Sequence, residues 1–502
     1  MTDRFSASGR PTDDARSWRR TKLVCTIGPA SAGRIPELVA AGMDVARINF
    51  SHGTPAAHAT QADAVHRESV AAGRAIPVLA DLSGPKIRIG VLAGGAAVLE
   101  PGRPFVLYPA GGPRLGDAGG AAVTYHRLAG DLEPGDRVLL ADGAAELRVL
   151  RTDAAALTEV VRGGTIRSRA GVSIPSARLS APPLTRKDRR DIPRVAAIGA
   201  ELVALSFVRC ADDVRLLRSL LGDDGPRIVA KIETRPAIDA FDEILEVADG
   251  VMIARGDLGV EVPFEEVPII QKQLLARALE RGVPSVVATQ MLESMIVSPR
   301  PTRAEASDVA NAVFDRADAI MLSGETAVGA HPILAAEAAA RIARLCEAAG
   351  ELGRPAPSTE LVTGDAAALA YAAVAIARAD PEIAAIACYT QRGRAAREIA
   401  ALRPGVPVIA FSPDPRVVAG LGIVHGVAAR PCLPPPDDAA RLGLMAWLLA
   451  ELEVIHPGAA VVLVASSTDP EAGPNLLEVH RLPGPAAGPA PGLMAGPASA
   501  PG

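Results

Sequence analysis

Short apolar runs alternate with longer amphipathic stretches through most of this chain, and that alternation predicts its architecture. Eight runs stand out before residue 350: KLVCTIG (22–28), DVARINF (44–50), IPVLADL (76–82), LVALSFV (202–208), RIVAKIE (227–233), GVMIARG (250–256), SVVATQ (285–290) and AIMLSGE (319–325). Each is continuous and rich in aliphatic residues, as parallel strands buried on both faces require. Helical patterns separate them, so eight βα units are expected to close into a (β/α)8 TIM barrel. Runs three and four break the rhythm, because about 120 residues separate them, far beyond a normal βα connection. That interval holds PFVLYP, DRVLLADGAAELRVLR and ALTEVVRGG, which alternate with turn signals as antiparallel strands do. It reads as an inserted β-barrel lid domain, entered at Gly84-Pro85 and left at Pro182-Pro183, with paired connections suited to hinging. After residue 350, AIACYT, PVIAFSP and AAVVLVAS alternate with helical segments and predict an open α/β domain. The expected organisation is a flexible leader (1–21), a barrel (22–84 and 185–350), a lid (85–184), a C-terminal α/β domain (351–482) and a disordered Pro/Gly/Ala tail (483–502).

Composition narrows the function classes. A length of 502 residues exceeds one core, and the 49% hydrophobic content with only 3% aromatics makes the cores aliphatic. A net charge of −5 gives no electrostatic case for nucleic acid as a partner. Cys25, Cys210, Cys346, Cys388 and Cys432 are scattered and form no C-x-x-C pair, which predicts reduced thiols in a cytoplasmic protein. The first twenty residues lack the apolar core of a signal peptide, and the longest uncharged helical stretch, residues 366–377, is too short to span a bilayer. A soluble enzyme away from membranes is expected.

The chemistry gathers where barrel loops converge, at the C-terminal ends of the strands. Run two ends with Arg47, Asn49, Ser51 and His52, and run three with Asp81. Lys231 and Glu233 end run five, Arg255 and Asp257 run six, Thr289 and Gln290 run seven, and Ser323 and Glu325 run eight. One charged strand end is as readily a buried ion pair as a site. Six ends aimed at one mouth point to a site. Glu233 and Asp257 offer two carboxylates on adjacent strand ends, leaving room for substrate and water around Mg²⁺ or Mn²⁺, and no His/Cys set favours zinc. Lys231 emerges on the same side of its strand as Glu233, where an ammonium can neutralise a phosphoryl group or an enolate. The backbone N–H groups of Gly256 and Asp257, opening a helical region, suit an anionic carboxylate.

TKLVCTIGPAS, ARINFSHG, SFVR, AKIET, MIARGDLGVEVP, ATQMLESMIVSPRPTRAEASDVANAVFD and MLSGETAVG together resemble the pyruvate kinases over residues 22–482. The resemblance implies transfer of the phosphoryl group of phosphoenolpyruvate to ADP, giving pyruvate and ATP. It assigns Arg47 to the phosphoryl group, Lys231 to transfer and enolate stabilisation, and Glu233 and Asp257 to the divalent metal. Thr289 would contact the substrate carboxylate, Ser323 and Glu325 would arrange the proton supply, and His52 and Arg88 would serve the nucleotide phosphates. Asn49, Ser51 and Asp81 would form a monovalent-cation region. There, family members that work without K⁺ resemble this chain in carrying Leu82 and Lys86, the lysine acting as surrogate cation. The same resemblance implies a homotetramer and a phosphorylated allosteric effector.

Three departures qualify it. Ala170 stands where a lid lysine is common, with Arg169 beside it as a substitute charge. In TQRGRA (390–395), Arg392 and Ala395 replace hydroxyl residues of the effector loop, so fructose 1,6-bisphosphate is expected to activate weakly. Thr234 replaces the usual Asn and has no evident reason. Two other readings stay open from the residues alone: a Schiff-base aldolase-type barrel using Lys231, and a non-catalytic or regulatory barrel.

Overall fold

All eight runs form strands: β1 (Lys22–Thr26), β2 (Val45–Asn49), β3 (Val78–Asp81), β4 (Leu202–Leu205), β5 (Arg227–Ile232), β6 (Gly250–Ala254), β7 (Ser285–Ala288) and β8 (Ala319–Leu322). They close in the order β1-β8-β7-β6-β5-β4-β3-β2, and the neighbours pair in parallel. The structure is a computed structural model that describes residues 18–175, 179–222, 224–349, 365–435, 438–451, 455–456, 458–466 and 474–482. Residues 1–17 of the expected leader and the expected tail 483–502 lie outside the described residues.

Side-chain parity explains why the barrel presents polar groups at one end only. Leu23, Cys25, Ala46, Ile48, Val78 and Ala80 point outward into the large core shared with the helices. Val24, Val45, Leu79, Ala204, Val229 and Met321 alternate with them and fill the barrel interior. Two residues further along each strand the same inward parity falls on Thr26, Arg47, Asp81, Ser206, Lys231 and Ser323. The polar mouth is thus the top layer of the interior.

The other end is sealed from an unexpected place. Ala419–Gly426 belongs to the barrel's compact unit although the sequence reading puts it in the C-terminal domain. Ile423 joins the interior cluster, His425 donates its N–H to Asp318 Oδ1 at 3.1 Å, and Gly426 donates to the Arg20 carbonyl at 2.9 Å. Residues 19–21 are also tied down, which corrects their assignment to a flexible leader. Arg19 pairs with Asp44 at 2.6 Å, and the Thr21 N–H reaches Glu347 Oε1 at 2.6 Å.

Between β3 and β4 the chain builds a seven-stranded sheet and a two-stranded pair, Ala96–Leu99 with Gly164–Arg167. They share an apolar core of their own that includes Ile89, Phe105, Leu140, Leu147 and Ile166. Gly84 turns the chain into this domain at φ 64°, and a Cβ there would lie 2.8 Å from Ser206 Cβ. The second compact unit carries a five-stranded sheet in the order Val427–Pro431, Val408–Ser412, Ile383–Tyr389, Ala460–Ser466 and Pro474–Arg481. Only the last of these strands is antiparallel. No described helix is long and apolar enough to cross a membrane.

Candidate active site

The barrel mouth holds a linked set of ionised groups. Lys231 Nζ lies 2.8 Å from Glu233 Oε1, 3.5 Å from Asp81 Oδ1 and 2.8 Å from Ser206 Oγ. Arg47 Nε donates to Asp81 Oδ2 at 2.7 Å and its Nη1 to Thr26 Oγ1 at 2.9 Å. All four charged side chains are buried. Burial alone would push Asp81 up, but Lys231 and Arg47 outweigh it and hold the carboxylate below its usual range. Burial likewise opposes the charge of Lys231, yet Asp81 and Glu233 push it up to about 12, so it stays an ammonium. That argues against a Schiff-base nucleophile, which needs the free amine.

Glu233 is raised, first by burial and further by the charge of Asp257, with Lys231 pulling the other way. Its Oε2 accepts the Phe207 N–H at 2.8 Å, while Oε1 has the Lys231 ion pair and no well-aligned hydrogen bond. Two carboxylates that repel each other, one with a buried under-satisfied oxygen, fit a divalent cation completed by substrate and water. Among the described residues no cluster of three His, Cys, Asp or Glu offers a complete protein cage.

Lys86 reaches out of the inserted domain to Asp257 Oδ1 at 2.8 Å, while Arg47 and Lys231 neutralise the Asp81 carboxylate. Asn49 lies beside Asp81 across the β2–β3 pairing, and its Oδ1 accepts the Ser51 N–H at 3.0 Å. Leu82 is buried with its carbonyl bonded to Ser206. His52 is exposed on the loop after β2, where its carbonyl lies 2.7 Å from His58 Nε2. Arg88 belongs to the inserted domain and donates to the Arg169 backbone carbonyl at 3.1 Å.

Thr289 occupies a strained turn. It sits at φ 70° and Gln290 at φ 56°, left-handed conformations that a β-branched residue rarely adopts. Its Oγ1 accepts the Gly256 N–H at 2.7 Å, so that N–H, expected to face an anion, has an internal partner here. Arg255 holds the turn by donating to the Thr289 and Gln290 carbonyls at 2.8 and 3.1 Å, itself anchored by Asp308 at 2.6 Å. Glu325 is buried, and its two oxygens accept the backbone N–H groups of Leu292 (3.0 Å) and Ser323 (2.7 Å). It therefore staples the β7 and β8 loops together.

Ser206, Phe207 and Thr26 escaped the sequence reading. Ser206 and Thr26 were reachable through the inward parity that follows Ala204 and Val24, whereas nothing local marks the Phe207 N–H as a partner of Glu233. In the second unit, Thr390 Oγ1 accepts the Gly393 N–H at 2.9 Å, Ala395 is buried and Arg394 pairs with Glu398 at 2.7 Å.

A parallel barrel with buried cations and carboxylates at its mouth defines an enzyme that handles anionic substrates. Comparison with known proteins makes this specific. The family described as "Pyruvate kinase, barrel domain" matches residues 18–336, and "Pyruvate kinase, alpha/beta domain" matches residues 367–480. Pyruvate kinases of Mycobacterium tuberculosis and Corynebacterium glutamicum are 42% and 40% identical over 474 residues, covering 92% of this chain and 98% of each relative. A crystal structure of a pyruvate kinase from Cryptosporidium parvum superposes with a TM-score of 0.84 at 31% identity, covering 94% of this chain and 98% of that one. The chain belongs to the pyruvate kinase family. It is a phosphotransferase with that family's barrel and α/β domains.

Proposed function

We propose that this chain transfers the phosphoryl group of phosphoenolpyruvate to ADP without needing K⁺, using the residues at the barrel mouth. The observation that carries the reading is the buried Arg47–Asp81–Lys231–Glu233 set, two cations and two anions held at the ends of β2, β3 and β5. Phosphoryl transfer needs positioning and positive charge more than covalent chemistry. Arg47 and Lys231 supply that charge to the transferring group, and Lys231 then stabilises the enolate left behind. Glu233 and Asp257 would hold Mg²⁺ or Mn²⁺, whose charge neutralises phosphoryl oxygens. The substrate carboxylate exchanges with Thr289 Oγ1 for the Gly256 N–H, so that binding the substrate relaxes a contact the free protein makes. Ser323 would relay a proton to the enolate carbon, and Glu325 holds its loop through the Ser323 N–H. His52, Arg88 and Arg169 take the nucleotide phosphates, and the inserted domain excludes water.

Lys86 supports independence from K⁺, because its ammonium is already fixed in the mouth against Asp257. The rest of the proposal is a homotetramer, a multiple of four on the 51.5 kDa chain, with a phosphorylated effector at the Thr390–Ala395 loop. The test is a coupled assay of pyruvate formation from phosphoenolpyruvate and ADP in Mg²⁺ with Na⁺ as the only monovalent cation, run on the parent and on Lys231→Met. The parent should turn over fully and the folded mutant should lose at least ~10²-fold in kcat. A fully active Lys231→Met would reject the assignment.

A further inference from the structure

Four consecutive residues after β4 join the inserted domain to the charged pair on β5. Ser206 Oγ donates to the Leu82 carbonyl at 2.8 Å, where the chain leaves the barrel, and accepts Lys231 Nζ at 2.8 Å. Phe207 gives its N–H to Glu233 Oε2 at 2.8 Å from a left-handed conformation, φ 56°. Arg209 reaches the segment by which the chain returns from the inserted domain. Its Nη1 donates to the carbonyls of Leu179 at 3.3 Å and Ala181 at 2.9 Å. Asp213 fixes the same arginine three times, through Nε at 3.1 Å, Nη2 at 3.1 Å and the backbone N–H at 3.0 Å. The incoming turn presses on the same loop, since a Cβ on Gly84 would meet Ser206 Cβ at 2.8 Å and Phe207 Cδ2 at 2.9 Å.

We propose that Arg209 is a positioning residue that links the inserted domain to Lys231 and Glu233 through the 206–209 loop. Rotation of the inserted domain about its two connections must carry the Leu179 and Ala181 carbonyls with it. A flexible side chain would absorb that movement. Arg209 does not, because one carboxylate grips both its guanidinium and its own backbone N–H, so a pull on the fork becomes a pull on the loop. Loop displacement then changes the hydrogen bonds that orient Glu233 and Lys231, the kind of outer contact that tunes a metal site. This inference rests on the reading of Glu233 as a metal ligand and Lys231 as the transfer residue.

The test uses the full chain with Arg209→Ala and Arg209→Lys, the latter keeping the charge beside Asp213 but not the fork. Mn²⁺ affinity is measured on protein and metal alone by electron paramagnetic resonance of free Mn²⁺, beside Tm, kcat and KM. Arg209→Ala should weaken Mn²⁺ binding about 10-fold and lower kcat by a similar factor, with Arg209→Lys recovering part of each. The Tm of Arg209→Lys should stay within about 3 °C of the parent. Mn²⁺ affinity unchanged in both variants overturns the proposal, even if activity falls in step with Tm, because arginine would then serve stability alone. Glu233→Gln separates the two layers. If it binds Mn²⁺ like the parent, the metal assignment fails and the proposal with it; if only the Arg209 variants are indifferent, the coupling fails and the metal assignment stands.

Discussion

Lys86 stands two residues beyond the Gly84 turn, and its ammonium is 2.8 Å from Asp257 Oδ1. Both side chains are about a third exposed, so the pair adds little to stability and its weight lies in fixing a positive charge in the mouth. Replacing that charge by a carboxylate sets like charges a few ångströms apart, a repulsion of several kcal/mol at an effective dielectric of ~20, which a bound K⁺ would relieve. Lys86→Glu should therefore acquire a K⁺ requirement, read as initial rate against K⁺ concentration, while the parent rate stays flat. A parent enzyme that is inert until K⁺ is added would refute the role. Glu261 offers a different test. It lies one turn after Asp257; burial and that neighbour raise its carboxyl to about 7 from the usual 4.5, although the Arg235 N–H works against the shift. An acid raised on folding favours the protonated native state, so stability is full below pH 4.5 and falls as pH rises through 7. In metal-free protein, Glu261→Gln should be more stable than the parent by about 3 kcal/mol at pH 8 and no more stable at pH 4.5, measured by urea unfolding. Equal curves for the two proteins at both pH values would remove Glu261 from the electrostatics of the mouth.

Elements show which parts of a diagnostic motif are chemistry and which are carpentry. In ATQMLESMIVSPRPTRAE only the first residues reach the mouth. Glu305 accepts Thr302 N–H and Oγ1 at 2.8 Å each, completing a capping box, and also Ser294 N–H and Oγ at 2.7 and 2.5 Å. One carboxylate thus caps the helix Arg303–Phe314 and pins the turn Glu293–Ile296, which packs beside Glu325's short helix. Glu305→Ala should cost about 2–3 kcal/mol in chemical denaturation while leaving the KM for phosphoenolpyruvate within about twofold. An unchanged unfolding midpoint would show that Ser294 and Thr302 find other partners. The barrel strands were legible because a strand buried on both faces leaves a continuous aliphatic run, and the mouth because polar residues continued the inward parity of those runs. Val427–Pro431 and Pro474–Arg481 were not legible: one ends in proline and the other carries Glu478, His480 and Arg481 on an edge, so neither shows an apolar run. The pairing of Lys86 with Asp257 was not legible. Local pattern places a residue on an element, whereas which of two acids it meets depends on how the inserted domain returns over the barrel.

At the scale of the molecule, the barrel is not assembled from one stretch of chain. Ile423 fills the end of the interior opposite the mouth, its Cδ1 within 3.2 Å of where a Cβ on Gly250 would sit, and a Cβ on Gly422 would meet Pro77 Cγ at 2.6 Å. Ile423→Ala should therefore destabilise the barrel by about 2–4 kcal/mol, although the residue lies about 100 positions after β8. The measurement is Tm and urea unfolding of the full chain, and a change below about 0.5 kcal/mol would show that the interior is closed without it. The feature also sets a clock. During synthesis β8 leaves the ribosome about 100 residues ahead of Ile423, and at ~5–20 residues per second the nascent barrel waits on the order of 5–20 s with its floor open. An unfinished barrel of this kind is exposed to chaperones and to neighbouring chains for that whole interval, so slow codons between residues 322 and 423 would lengthen its most vulnerable moment without changing a single contact in the finished protein.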